Sequence, residues 1–426
     1  MALFALFNII GINLCLQVLS PGAYAETVFA PIIHSFLERE TSQDSWEVMN
    51  IAFSYLHSSH DKTVYSEIFF NNKIKFQYPL SSLFPFILLD WTIPESEWRY
   101  ALKIINYIAV AFNVLLVSKI FNLVLIKTSN RKNLPHSRVD ALTRDFIVIC
   151  LSLSFYPIVR AVQLGQIQVC LNCLFALVTW LLLKKVERLA GALTAIMALI
   201  KPQYLIIYIW SFIRKKYQFF VWFSIVFTSG LLTSFMVFGS ENNIDYLKVL
   251  SFISRHGESF KNNHSINGLV NRLIFNGKNL QWEDHAFAPF NSIVYISTLA
   301  SSLILISIAL MPISPKRSEG GTIDFLIIAL SSTMASPIAW EHHYGILLPI
   351  YAAILPLSLM ESTFSRTNIL LLALTYVFCS NYFNVTDLLA NIPILNIFQS
   401  YLFIAAFVLL LYLYRLRSLL LPTQRL

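Results

Sequence analysis

The chain is 426 residues long, 56% hydrophobic and only 13% charged, with 34 phenylalanines and a formal net charge of +8. Soluble chains carry about 25% charged residues, so this composition excludes an ordinary soluble domain. Apolar runs of about twenty residues recur throughout and point to an α-helical polytopic membrane protein; no run alternates as a barrel strand would.

The first apolar segment, 1–23, ends in Ala23-Tyr24-Ala25-Glu26. This imitates a signal-peptidase site, but the basic leading stretch of a signal peptide is missing. An uncleaved first helix is expected, with cleavage as the alternative. A polar loop follows, about 25–78, holding Glu38, Glu40, Asp44, Glu47, Asp61 and Glu67. Within it Trp46, Met49, Phe53 and Leu56 recur at helical spacing, which predicts an amphipathic helix on the membrane surface. The loop ends in Lys75-Phe76-Gln77-Tyr78-Pro79-Leu80, and the apolar stretch 79–91 is too short to span.

Spans are predicted at 98–126, 145–158, 166–183, 218–238, 291–311, 323–335, 345–360, 368–383 and 399–414. Residues 189–213 are broken at Lys201-Pro202 and flanked by Lys184-Lys185-Arg188 and Arg214-Lys215-Lys216. A hairpin of two short helices would put both basic clusters on one side and Lys201 at the turn. The count is about twelve crossings in a single domain, 1–426. The basic short loops lie in the cytoplasm, and two long loops, about 25–78 and 239–290, lie outside.

This topology collects Asp44, Arg160, Gln166, Lys201, the Asn263-His264-Ser265-Ile266-Asn267-Gly268 segment and His342-His343 on one face. Charges in a membrane usually face a cavity or a partner. One carboxylate, several cations and two histidines suit an anionic lipid-linked substrate. Each residue also has a plain reading. Asp44 could be solvated, Arg160 and Lys201 could snorkel, the Asn263–Gly268 segment could be a turn, and the histidines could cap a helix. Adjacent histidines on a helix diverge and make a poor metal pair. Cys170 and Cys173 read as packing residues.

The shared order of short motifs carries more. Asp44, Val64-Tyr65, Phe76-Gln77-Tyr78-Pro79-Leu80, Gly165-Gln166, Ala190-Gly191, Ile200-Lys201-Pro202, Asn263 to Leu269 and Ser336-Pro337-Ile338-Ala339-Trp340-Glu341-His342-His343 follow one another in sequence. Together, over roughly Asp44 to Pro349, they resemble glycosyltransferase family eighty-seven, the polyprenyl-phosphate-mannose-dependent mannosyltransferases of the GT-C class. The sequence departs from the family pattern at Tyr78-Pro79-Leu80, at Asn263-His264-Ser265 and in the run after Asp44, so Glu47 stands as an alternative to Asp44.

The resemblance implies an all-α, GT-C-type membrane enzyme. It would move a sugar, mannose in the family, from a polyprenyl-phosphate donor to a lipid or glycan acceptor on the outer face of the bacterial inner (plasma) membrane, with inversion. Asp44 would be the catalytic base and one of His342 and His343 would take part. Arg160, Gln166, Lys201, Tyr78, Asn263 and Ser265 are the candidates for holding donor phosphate or substrate. The expected partners are the donor, the acceptor and membrane lipids, with no nucleic acid, cofactor or metal. The rival reading is a transporter or flippase of an anionic or polyprenyl-linked substrate.

Overall fold

The computed structural model describes residues 2–19, 44–58, 62–131, 138–311, 321–360 and 366–419. The Ala23-Tyr24-Ala25 motif, Glu38, Glu40, Asp61 and the Lys316-Arg317 loop lie outside them. The helices, in order, are α1 (Ala2–Leu6), α2 (Ile12–Leu19), α3 (Asp44–Leu56), α4 (Phe84–Thr92), α5 (Glu95–Arg131), α6 (Arg138–Leu153), α7 (Tyr156–Gln163), α8 (Gln168–Leu183), α9 (Glu187–Ile200), α10 (Leu205–Ile213), α11 (Tyr217–Phe238), α12 (Ser240–His256), α13 (Ile266–Leu273), α14 (Ser292–Leu310), α15 (Thr322–Ala335), α16 (Leu347–Met360), α17 (Arg366–Ser380) and α18 (Tyr401–Leu419). Among the described residues there is no strand, only one isolated antiparallel bridge between Asn263 and Trp340.

Among the described residues, five helical stretches are long and apolar enough to cross a membrane, six if the bent pair α6 and α7 counts as one. The other apolar helices have only 10–17 residues, so the helices found do not reproduce the expected twelve crossings. Helix α5 has 37 residues, about 55 Å at 1.5 Å per residue, well beyond a hydrocarbon core of about 30 Å. Only 11% of the α11 span is buried against 89% of the span Glu341–Leu359. The first therefore faces lipid, and the helix that follows the two histidines is central.

The break at Lys201 follows from the proline after it, which disfavours helical backbone at the preceding residue. Lys201 is extended (φ −132°, ψ 104°) and α10 returns beyond it. Lys216 pairs with Glu187 at 2.9 Å, so the two basic clusters share one end and Lys201 lies at the other, as a hairpin requires. Helices α9 and α11 run side by side because Gly191 has no side chain. A Cβ there would stand 2.2 Å from the Phe219 carbonyl oxygen, the close approach small residues permit. At the basic end Asp324 binds Arg214 at 2.5 Å and Arg417 at 2.6 Å, tying α10, α15 and α18 together.

The described part of the polar loop is docked on protein. Trp46, Met49 and Phe53 of α3 are buried in an aromatic core with Tyr65, Phe76, Phe86, Trp98 and Tyr246. The amphipathic helix expected on the membrane surface thus turns its apolar stripe onto α4 and α5, because those elements offer it a ready-made aromatic floor. This docking fixes where Asp44, the first residue of α3, must stand.

Candidate active site

Asp44 is held by the turn between α7 and α8. Gly165 supplies the positive φ of that turn (60°), a conformation costly for other residues. The Asp44 N–H donates to the Leu164 carbonyl at 2.9 Å, and the Ile167 N–H donates to Ser45 Oγ at 2.7 Å. Gln166 Nε2 donates to Asp44 Oδ2 at 2.5 Å, while the Tyr78 hydroxyl reaches Gln166 Oε1 at 3.5 Å. Burial pushes the Asp44 carboxyl above the ordinary aspartate range, opposed by the Gln166 bond and by the Arg160 charge. Its side chain nonetheless borders a cavity of about 680 Å³.

The cations stand on the other walls. Lys201 is buried at the α9–α10 break, where its ammonium donates to Gln168 Oε1 at 2.8 Å and meets His343 Nε2 at 2.5 Å. An ammonium only donates, so His343 accepts through Nε2 and its proton belongs on Nδ1. Arg160 Nε donates to Glu341 Oε1 at 2.9 Å, and the Tyr156 hydroxyl reaches the same oxygen at 3.1 Å. Glu341 is fully buried while Arg160 keeps about a third of its side chain accessible. The carboxylate thus fixes the arginine without enclosing it. The rings of His342 and His343 meet edge to face, 86° apart. Among the described residues no group of three His, Cys, Asp or Glu is placed to hold a metal.

Two further walls give the cavity its character. Ile200, Pro202, Ile206, Leu250, Ile253 and Ile306 line an apolar side, and Phe260, Trp282 and Trp340 an aromatic one. Lys75 lies 3.8 Å over the Trp282 ring and pairs with Glu258 at 2.5 Å. Burial lowers the Lys75 ammonium and pushes the Glu258 carboxyl up to about 7. Gly257, at φ 64°, turns the chain after α12 to bring Glu258 there.

The structure gathers Asp44, Tyr78, Arg160, Gln166, Lys201, His342 and His343 around this one cavity. Asn263 and Ser265 are not on its wall. Asn263 donates to the Glu258 and Pro337 carbonyls and accepts from the Ala339 N–H, at 2.8, 3.1 and 2.9 Å. Ser265 donates to the Pro337 carbonyl at 2.9 Å and caps α13 by accepting from Gly268. Both are fully buried and pin the turn that carries His342 and His343; Asn262 takes the place on the cavity wall. Glu47, one turn on from Asp44, faces a different pocket with Trp46 and Arg99. Glu341, Lys75 and Trp282 were not anticipated as site residues. Glu341 sits in the run with the histidines and Lys75 in the run with Tyr78, so adjacency to the motifs was the available signal.

No curated protein matches the chain. The family model of glycosyltransferase family 87 matches residues 76–337, more than half of the sequence. That stretch contains Tyr78, Arg160, Gln166, Lys201, Asn263 and Ser265; Asp44, His342 and His343 fall outside it and owe their place in the site to geometry. The match and the apolar helices make the chain a membrane glycosyltransferase, a member of glycosyltransferase family 87.

Proposed function

We propose that this enzyme moves a sugar, with mannose the first candidate, from a polyprenyl phosphate to the hydroxyl of a lipid or glycan acceptor, inverting the anomeric centre. The site opens to the outer face of a bacterial inner membrane, opposite the basic end of the helices. The observation that carries this reading is one cavity that brings Asp44, the cations Arg160 and Lys201 and an apolar wall together.

The chemistry follows from those walls. The prenyl chain lies along Ile200, Ile206, Leu250, Ile253 and Ile306, with its phosphate towards Arg160, Lys201 and His342. Asp44 takes the proton from the acceptor hydroxyl as its oxygen bonds to the anomeric carbon. The bond from that carbon to the phosphate oxygen breaks, and the electron pair leaves on the phosphate. Positioned cations stabilise the charge that accumulates there. Arg160 is already oriented by Glu341, and Lys201 by Gln168 and His343, so little reorganisation is needed.

The test is incubation of purified protein with radiolabelled polyprenyl-phosphate mannose and a lipid extract. A labelled product that depends on Asp44 supports the proposal. Transfer from a nucleotide sugar in place of the lipid donor overturns it.

A further inference from the structure

The charges around the transfer cavity pair off unevenly. Lys75 is matched by Glu258, and Arg160 by Glu341. Lys201 borders the same cavity but forms no ion pair with a carboxylate among the described residues. An ammonium has three protons to donate. Two of them go to neutral atoms, Gln168 Oε1 and His343 Nε2. The carboxylate whose charge reaches Lys201 is that of Asp44. Arg160 meets Glu341 through Nε, and about a third of its side chain stays accessible, with its terminal nitrogens unbonded among the described residues. A buried charge is costly unless something compensates it, so what happens to Asp44 matters to Lys201.

The proposed transfer changes that balance, and the inference rests on it. The acceptor oxygen bonds to the anomeric carbon and its proton passes to Asp44. The bond from that carbon to the phosphate oxygen breaks, leaving its electron pair on the phosphate. The donor is a phosphate diester with a single negative charge. The leaving group is a monoester, whose charge is close to about −2 above neutral pH. One unit of negative charge has moved from Asp44 to the phosphate. Lys201 loses its countercharge in the same step in which the phosphate gains one.

We propose that Lys201 makes the cavity a site for lipid phosphate monoesters, which holds the leaving group more tightly than the donor. The released carrier lipid is then an inhibitor of this enzyme, competing for the same aliphatic wall of Ile200, Ile206, Leu250, Ile253 and Ile306. Sustained turnover depends on a companion reaction that consumes a lipid phosphate monoester.

The test is calorimetric titration of the full chain in detergent with farnesyl phosphate and with its methyl ester, at about pH 8, where the monoester is a dianion. The two probes share a chain and differ by one charge. In the wild type the monoester should bind about tenfold more tightly, the equivalent of one charge-assisted hydrogen bond. Lys201→Met should abolish that preference. Asp44→Asn, whose side chain carries no charge, should tighten the monoester severalfold and leave the diester nearly unchanged; it decides the matter should Lys201→Met fail to fold. Inorganic phosphate should compete poorly with farnesyl phosphate. Equal binding of the two esters by the wild type, or a preference that survives Lys201→Met, overturns this inference and leaves the polyprenyl donor standing. Inorganic phosphate as effective as farnesyl phosphate also overturns it, by giving the lipid chain no part. Binding of neither ester overturns the donor reading and this inference with it.

Discussion

Gln166 holds Asp44 by a single oxygen. The amide donates to Oδ2 at 2.5 Å, and Oδ1 accepts no bond among the described residues. A carboxylate so held is oriented without being consumed, as a general base must be. Asp44→Asn keeps the volume but cannot accept a proton, and removing a general base typically costs about 10²–10⁴-fold. Transfer rate should fall by that order while donor affinity survives. Glu47→Gln, facing the other pocket, should stay within about twofold of wild type, the size of effect a single marginal hydrogen bond gives. The reverse pattern in paired rate and binding measurements would make Glu47 the base.

The pH profile follows from the same carboxyl. A base must be ionised to act. Since desolvation in the cavity raises Asp44 above the ordinary value of 3.8, activity should be lost as pH falls through that raised value, earlier than for an aspartate at the ordinary value. The Gln166 bond opposes the shift, so Gln166→Leu should move the acid limb of kcat/KM to still higher pH. An acid limb unmoved by Gln166→Leu would show that another group titrates.

The two histidines should separate by non-additivity. His343 is bonded to Lys201, so His343→Ala and Lys201→Met disable one unit, and the double variant should be little worse than either single one. His342→Ala should multiply with both. A cycle in which His342 couples to Lys201 and His343 does not would exchange their roles.

Asn263→Ala should act on stability. It removes a side chain that bridges Glu258, Pro337 and Ala339, leaving buried groups unpaired at about 1–3 kcal/mol each. The melting temperature should drop while donor KM changes little in the folded fraction. An unchanged melting temperature with a raised KM would return Asn263 to the substrate-binding set.

Orientation is checked by single cysteines in a Cys-free background. Lys278 and Lys185 lie on opposite ends of the helices and both are exposed. An impermeant thiol reagent added to intact cells should label position 278 and spare 185. Labelling only at 185 would turn the site to the cytoplasm.

The break at Lys201-Pro202 and the helices around it were legible because proline restrictions and short basic loops act locally. Asp44 and His342-His343 could be linked only through the order of motifs, and the geometry then brought them to one cavity. The pairing of Lys75 with Glu258, 183 positions apart, leaves no local trace. Asn263 and Ser265 stand off the cavity wall for a physical reason: a buried turn needs its carbonyls and N–H groups satisfied, and in sequence polar residues doing so look like residues reserved for substrate.

The ion pair of Arg160 with the enclosed Glu341, and the lysine buried against Gln168 and His343, also bear on habitat. Mobile ions screen exposed charges over a Debye length of about 8 Å at physiological salt, but reach enclosed pairs far less. A cell controls the salinity of its cytoplasm much better than that of its surroundings. On the proposed outward orientation, the buried Lys201 and Glu341 would be little affected by osmotic swings that disrupt a site built on surface electrostatics.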